Sequence, residues 1–208
     1  MSSRTLTGLL LIVGPIVTFA GFIAIGAGLG FDVDWDDPSE MIPALGDNAQ
    51  LMKTLFPVAT LGMIIVAAGF SGLHRSMSDG SGAHYMSIGL LFFVIGTTVV
   101  VGESALSLGA SEVASDVNQA LPEALLAAAG AIGSIGEAIH FLGFAIIGIA
   151  IYAQKKLHSV LSILMFLIGL VGLGSALAAY TSPIMLLSYA GMSILTLATG
   201  VLVIRSKD

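Results

Sequence analysis

The chain has 208 residues, of which 56% are hydrophobic and only 10% charged, with a formal charge of -6, 26 glycines and no cysteine; its mean hydropathy is +1.02. Soluble domains carry about 25% charged residues, so this composition excludes an ordinary soluble enzyme, a disordered chain and a nucleic-acid binder. The lack of cysteine removes disulfides, thiolate metal sites and thiol nucleophiles.

The composition predicts an all-α polytopic transmembrane bundle of six helices in a single domain, 1–208. A span consumes about 20 residues, which leaves no room for a separate soluble domain. In chain order, apolar runs predict spans at 6–30, 51–73, 85–108, 123–153, 160–179 and 183–204. The first follows Arg4 in the manner of a signal peptide, but its apolar stretch is too long and lacks a clean cleavage context. Pro15 and Pro57 fall inside spans one and two, while Pro38 and Pro43 belong to the first loop. The Ser78–Gly82 run makes a short turn, better read as a flexible connection than as a phosphate cradle. Span four exceeds what a bilayer needs, so its first turns, up to about Gly130, are expected in the interface or on a tilt. Pro122 and Pro183 suit the first helical position of spans four and six.

The basic residues set the orientation. Arg4, Arg75, Lys155, Lys156, Arg205 and Lys207 all fall on one side of this topology, and only Lys53 falls on the other. The positive-inside rule makes that side cytoplasmic, with both termini on it, and the expected location is the cell (inner or plasma) membrane. Acidic residues gather opposite: Asp32, Asp34, Asp36, Asp37, Glu40 and Asp47 in the first loop, then Glu112, Asp116 and Glu123. This acidic loop lacks the glycine and terminal glutamate of a calcium-binding hand and reads as solvated or as a dock for a basic partner surface. Trp35, Tyr85, Tyr152 and Tyr180 sit at span ends, where an aromatic belt belongs. His74, His84 and His158 lie at the basic boundaries, either as solvated interfacial rings or as a metal-binding or pH-sensing patch.

The expected partners are the lipid bilayer and no nucleic acid, with a homo-oligomer or a larger membrane complex left open. Small residues at Gly26 and Gly30, at Gly130 and Ser134, and at Gly169, Gly172 and Gly174 allow close helix approach, within one chain or between copies.

Three ionisable residues stand inside apolar spans: Glu103 in span three, and Glu137 and His140 in span four. A charge at such depth costs about 2.5–3.5 kcal/mol on insertion scales, so each calls for a partner or a function. The two carboxylates are expected at similar depth, on helices joined by one loop. Glu137 and His140 are three residues apart and share a helix face with Gly133 and Phe144. Ser104, Ser107, Ser134 and Thr98 bring hydroxyl groups near the same level.

The Glu-x-x-His spacing is also that of di-metal sites in helical bundles. Glu103, Glu137 and His140 would offer three ligands suited to Fe, Mn or Zn. The same set would equally serve as a proton relay, or as a hydrogen-bonded pair that joins spans three and four.

The run from His140 through Gly143 and Gly148 to Tyr152, then Lys155, Lys156, Leu157 and His158, resembles the second half of small bacterial and archaeal six-span proteins of the DUF4386 type. The resemblance covers about 60 residues and implies a topology, with no catalytic residue to carry over. Two functional classes follow. One is a non-enzymatic accessory subunit or small transporter-like bundle built on the Glu/His centre. The other is a membrane metalloenzyme with Glu103, Glu137 and His140 as metal ligands. No nucleophile and base stand at a spacing that would define another active site.

Overall fold

The computed structural model describes residues 2–35, 37–115, 119–155 and 157–206. Asp36, Asp116, Lys156 and Lys207, which carry part of the charge pattern, lie outside the described residues. The described residues form seven helices: α1 Ser3–Leu29, α2 Pro38–Asp47, α3 Ala49–Ser76, α4 Ala83–Val113, α5 Ala120–Gln154, α6 Ser159–Ala178 and α7 Pro183–Arg205. All but α2 are long and apolar enough to cross a membrane, and the chain is a multi-pass membrane protein with an all-α six-span fold.

Helix boundaries follow local chemistry. Ser2 and Ser182 cap α1 and α7 by accepting the N–H groups of Thr5 and Met185, and Pro183 occupies the first position of α7 as expected. Pro122 stands at the third position of α5 rather than the first, still among the N–H groups that lack an intrahelical acceptor. At the end of α1, Gly30 takes φ 99°, a left-handed conformation that a side chain would strain.

The six long helices form a closed ring. α1 packs on α3, α3 on α4, α4 on α5, α5 on α6, α6 on α7, and α7 returns to α1. Small residues make the closest approaches. A Cβ on Gly96 would meet the backbone of His140 at 2.4 Å, and one on Gly143 would meet Phe93 N at 2.4 Å, so α4 and α5 touch backbone to backbone. Gly169 and Gly172 bring α6 onto α5 in the same way, as the sequence suggests. Gly130 and Gly174 instead face open space, and Gly26 meets Phe31 just beyond the end of its own helix. The spacing of small residues identified which helices have close faces, but not every residue that uses them.

Both termini lie at one end, where Gly8 of α1 meets Gly200 and Ile204 of α7. Arg4, Arg75, Lys155 and Arg205 share this basic end, and the connections rich in Asp and Glu form the acidic end. Outward faces carry Leu61, Leu91, Leu177, Leu186, Leu187 and Ile194, all more than half exposed, as expected of surfaces that meet lipid tails.

The first acidic connection is not a plain loop. It contains α2, with Pro38 at its first position and Asp37 accepting the N–H of Ser39 at 2.8 Å, a contact that holds the Asp37 carboxyl below its ordinary value. Glu40 accepts the N–H of Asp34 at 3.0 Å. Two of the acidic residues therefore organise the chain locally. Met41, Ile42 and Leu45 are buried on α2, and Met41 and Leu45 pack with Ile25, Leu29, Met52, Phe56 and Ala110. Lys53, the cation that departs from the charge pattern, pairs with Glu112 across the same end at 3.3 Å.

Candidate functional site: a buried carboxyl, phenol and imidazole cluster

α5 is the most enclosed span, with 67% of its most apolar stretch buried, and it carries the polar centre. Glu137 and His140 are 0% and 1% exposed. Their three-residue spacing puts both side chains on the face that looks into the ring, and His140 Nδ1 lies 3.2 Å from Glu137 Oε2. Close approach of α4 at Gly96 seats the imidazole edge-on against Phe93, with ring centroids 4.1 Å apart. Packing thus fixes the ring plane and the hydrogen bond fixes its rotation.

Glu103 on α4 reaches the same face of α5, but at the level of Gly133, where a Cβ would lie 2.4 Å from its carboxyl carbon. That is one turn, about 6 Å, closer to the acidic end than Glu137. The expectation of similar depth holds to within that turn. Glu103 Oε1 accepts a hydrogen bond from the Tyr180 hydroxyl at 2.5 Å. Tyr189, partly buried against the core, stands close enough to Tyr180 and Glu137 to interact with both electrostatically. The arrangement is therefore a chain of titratable groups, Glu103, Tyr180, Tyr189, Glu137 and His140, running from near the acidic end into the middle of the ring.

Two of these five residues escape a reading of the sequence. Tyr180 is assigned there to an interfacial belt, whereas it folds inward from the α6–α7 connection onto Glu103; Trp35, Tyr85 and Tyr152 do stay exposed at helix ends. Tyr189 gives no signal of its own. It sits in an apolar span, flanked by Phe141 and Phe22 at centroid distances of 5.4 and 6.1 Å. Of the neighbouring hydroxyl groups, Ser134 donates to Ala176 O of α6 at 2.7 Å and Thr98 to Val94 O of its own helix, so neither serves the cluster.

The geometry bears on the metal reading. Among the described residues no three carboxylate or imidazole side chains gather where one ion would touch them all. Glu137 and His140 are neighbours, but Glu103 is drawn one turn away by Tyr180, so the set offered for Fe, Mn or Zn does not converge. The histidines at the basic end do not form a patch either. His74 Nε2 pairs with Ser87 Oγ at 2.9 Å, His158 caps α6 through Val160 N, and His84 stacks near Tyr85.

Two atoms in the cluster are buried without a partner: Glu137 Oε1 and His140 Nε2. Each residue is thus bonded through one atom and open at the other. Comparison with protein-family models, curated proteins and solved structures finds no match, so the reading of this site rests on its geometry.

Proposed function

We propose that this chain is a small, non-enzymatic, transporter-like bundle whose polar centre takes up and passes protons. Glu137 and His140 are the exchanging pair. Glu103, Tyr180 and Tyr189 link them to the acidic end, which the positive-inside rule turns outward, with the termini cytoplasmic. The observation that carries the reading is the half-satisfied pair: a purely structural couple in a membrane interior would use every polar atom, because each one left open is costly. Here one oxygen and one nitrogen remain open, and the two residues already share a hydrogen bond along which a proton can move.

Infrared difference spectroscopy between acidic and alkaline buffer, in lipid bilayers, tests the reading. A carboxyl C=O band that appears on acidification, is lost in Glu137→Gln and is displaced in His140→Gln supports proton exchange at this pair. A spectrum with no titrating buried carboxyl overturns it.

A further inference from the structure

On the other side of His140 from Glu137, the ring holds a partly open cavity of about 20 Å³, bordered by Thr18 of α1, Met63 and Val66 of α3, Phe93 of α4, His140 of α5 and Thr196 of α7. A water molecule needs about 10–15 Å³ of such space and two to four polar partners. The cavity provides the space for one. Two of its lining residues also carry the polar atoms that lack partners: His140 Nε2 and Thr196 Oγ1, each in a side chain about 1% exposed. Buried polar atoms in folded proteins nearly always find a partner, from protein or from water. Here two orphans border one water-sized space.

We propose that this cavity is a binding site for a single water molecule that bridges His140 Nε2 and Thr196 Oγ1. The hydrogen bonds balance. With the Nδ1–H of His140 donated to Glu137 Oε2, Nε2 carries a lone pair and accepts one hydrogen of the water. The Thr196 hydroxyl donates to the water oxygen. Thr18 Oγ1 already donates to Gly14 O at 3.0 Å and retains lone pairs for the second water hydrogen. Three hydrogen bonds is the usual number for a buried water.

The site itself follows from the cavity and the two orphan atoms. A further role rests on the proton-exchange reading. It uses the other tautomer of His140, with Nδ1 accepting from a protonated Glu137 and Nε2–H donating to the water: Glu137 gives its proton to Nδ1 as Nε2 releases its own to the bridging water, and the polar path extends toward the basic end.

Solid-state NMR of protein labelled with 15N-histidine in lipid bilayers tests the site, with the His140 ring signals identified by their loss in His140→Gln. The expected result is a cross peak between the His140 ring and water that disappears in Thr196→Val and persists in Thr196→Ser. Absence of the cross peak in the unaltered protein overturns the site, as does a cross peak unchanged in Thr196→Val. The infrared experiment separates the two claims. A cross peak without a titrating carboxyl supports the water site and overturns its relay role. A titrating carboxyl without the cross peak overturns the site and leaves proton exchange at Glu137 and His140 standing.

Discussion

The acidic end of the ring is closed in two ways. On the side of α1, α2 and α3 the seal is apolar: Met41 and Leu45 of the short helix α2 pack with Ile25, Leu29, Met52 and Phe56, and with Ala110 of α4. On the side of α5, α6 and α7 the seal is polar: Tyr180 folds from a four-residue connection onto Glu103, and Tyr189 stands beyond it near Glu137. An apolar seal depends on area and shape, with no directional requirement. A hydrogen-bonded seal depends on every member having its partner. The first is suited to staying shut, whereas the second can respond to a proton.

The sharpest way to break this contrast is Glu137→Ala. It removes the partner of His140 Nδ1 from the buried interior of the ring. Loss of one member of a buried pair costs about 3–5 kcal/mol. The expected outcome is a large fall in midpoint for denaturant unfolding in detergent, with the isosteric Glu137→Gln losing much less because its amide oxygen still accepts from Nδ1. Equal losses in the two variants would mean that space filling, and not the hydrogen bond, is what Glu137 contributes.

Leu45→Ala tests the apolar side. Leu45 is 0% exposed, and a buried Leu→Ala change costs about 2–5 kcal/mol according to how far the site relaxes. The low end, about 2 kcal/mol, is expected here because α2 is only ten residues long and free to settle toward α3. The same variant should leave the titrating carboxyl band of Glu137 where it was. A shifted band would show that the two seals are coupled through the bundle.

How far the sequence reveals each residue's place depends on how sharply that residue contrasts with its surroundings. The six spans are plain, because apolar runs of bilayer length are rare outside membrane helices. Glu103, Glu137 and His140 are plain for the converse reason: an ionisable group in such a run stands out. Tyr180 and Tyr189 are not, since a tyrosine is at home at an interface and in a core alike. Only the closure of the ring, which carries α7 back beside α1, places Tyr189 against α5. The separation of Glu103 from Glu137 and His140 is hidden for a related reason. Spacing along α5 predicted which two residues share a face, but nothing in the spacing of α4 reveals that Tyr180 competes for Glu103. As for α2, its signals are present in Asp37 before Pro38 and in the apolar Met41, Ile42 and Leu45, yet Pro43 and the surrounding carboxylates make the segment resemble a loop.

Tyr180→Phe gives the smallest expected effect and the most direct view of the polar seal. It deletes the hydroxyl that lies beside Gly133, keeps the ring, and leaves Glu103 without its donor. Side-chain hydrogen bonds between membrane helices contribute about 0.6 kcal/mol on average and about 1.7 kcal/mol at most, so unfolding should move only slightly. The spectroscopic change should be larger. Glu103 loses a short bond, and the path from the acidic end to Tyr189 and Glu137 loses the group that joins its two carboxyls. A Glu103 band, identified by its absence in Glu103→Gln, should shift in Tyr180→Phe while the Glu137 band stays in place. If both bands move together, the carboxyls titrate as one unit and Tyr189 alone maintains the link; if neither moves, Glu103 does not depend on Tyr180, and the polar seal is held by shape as the apolar one is.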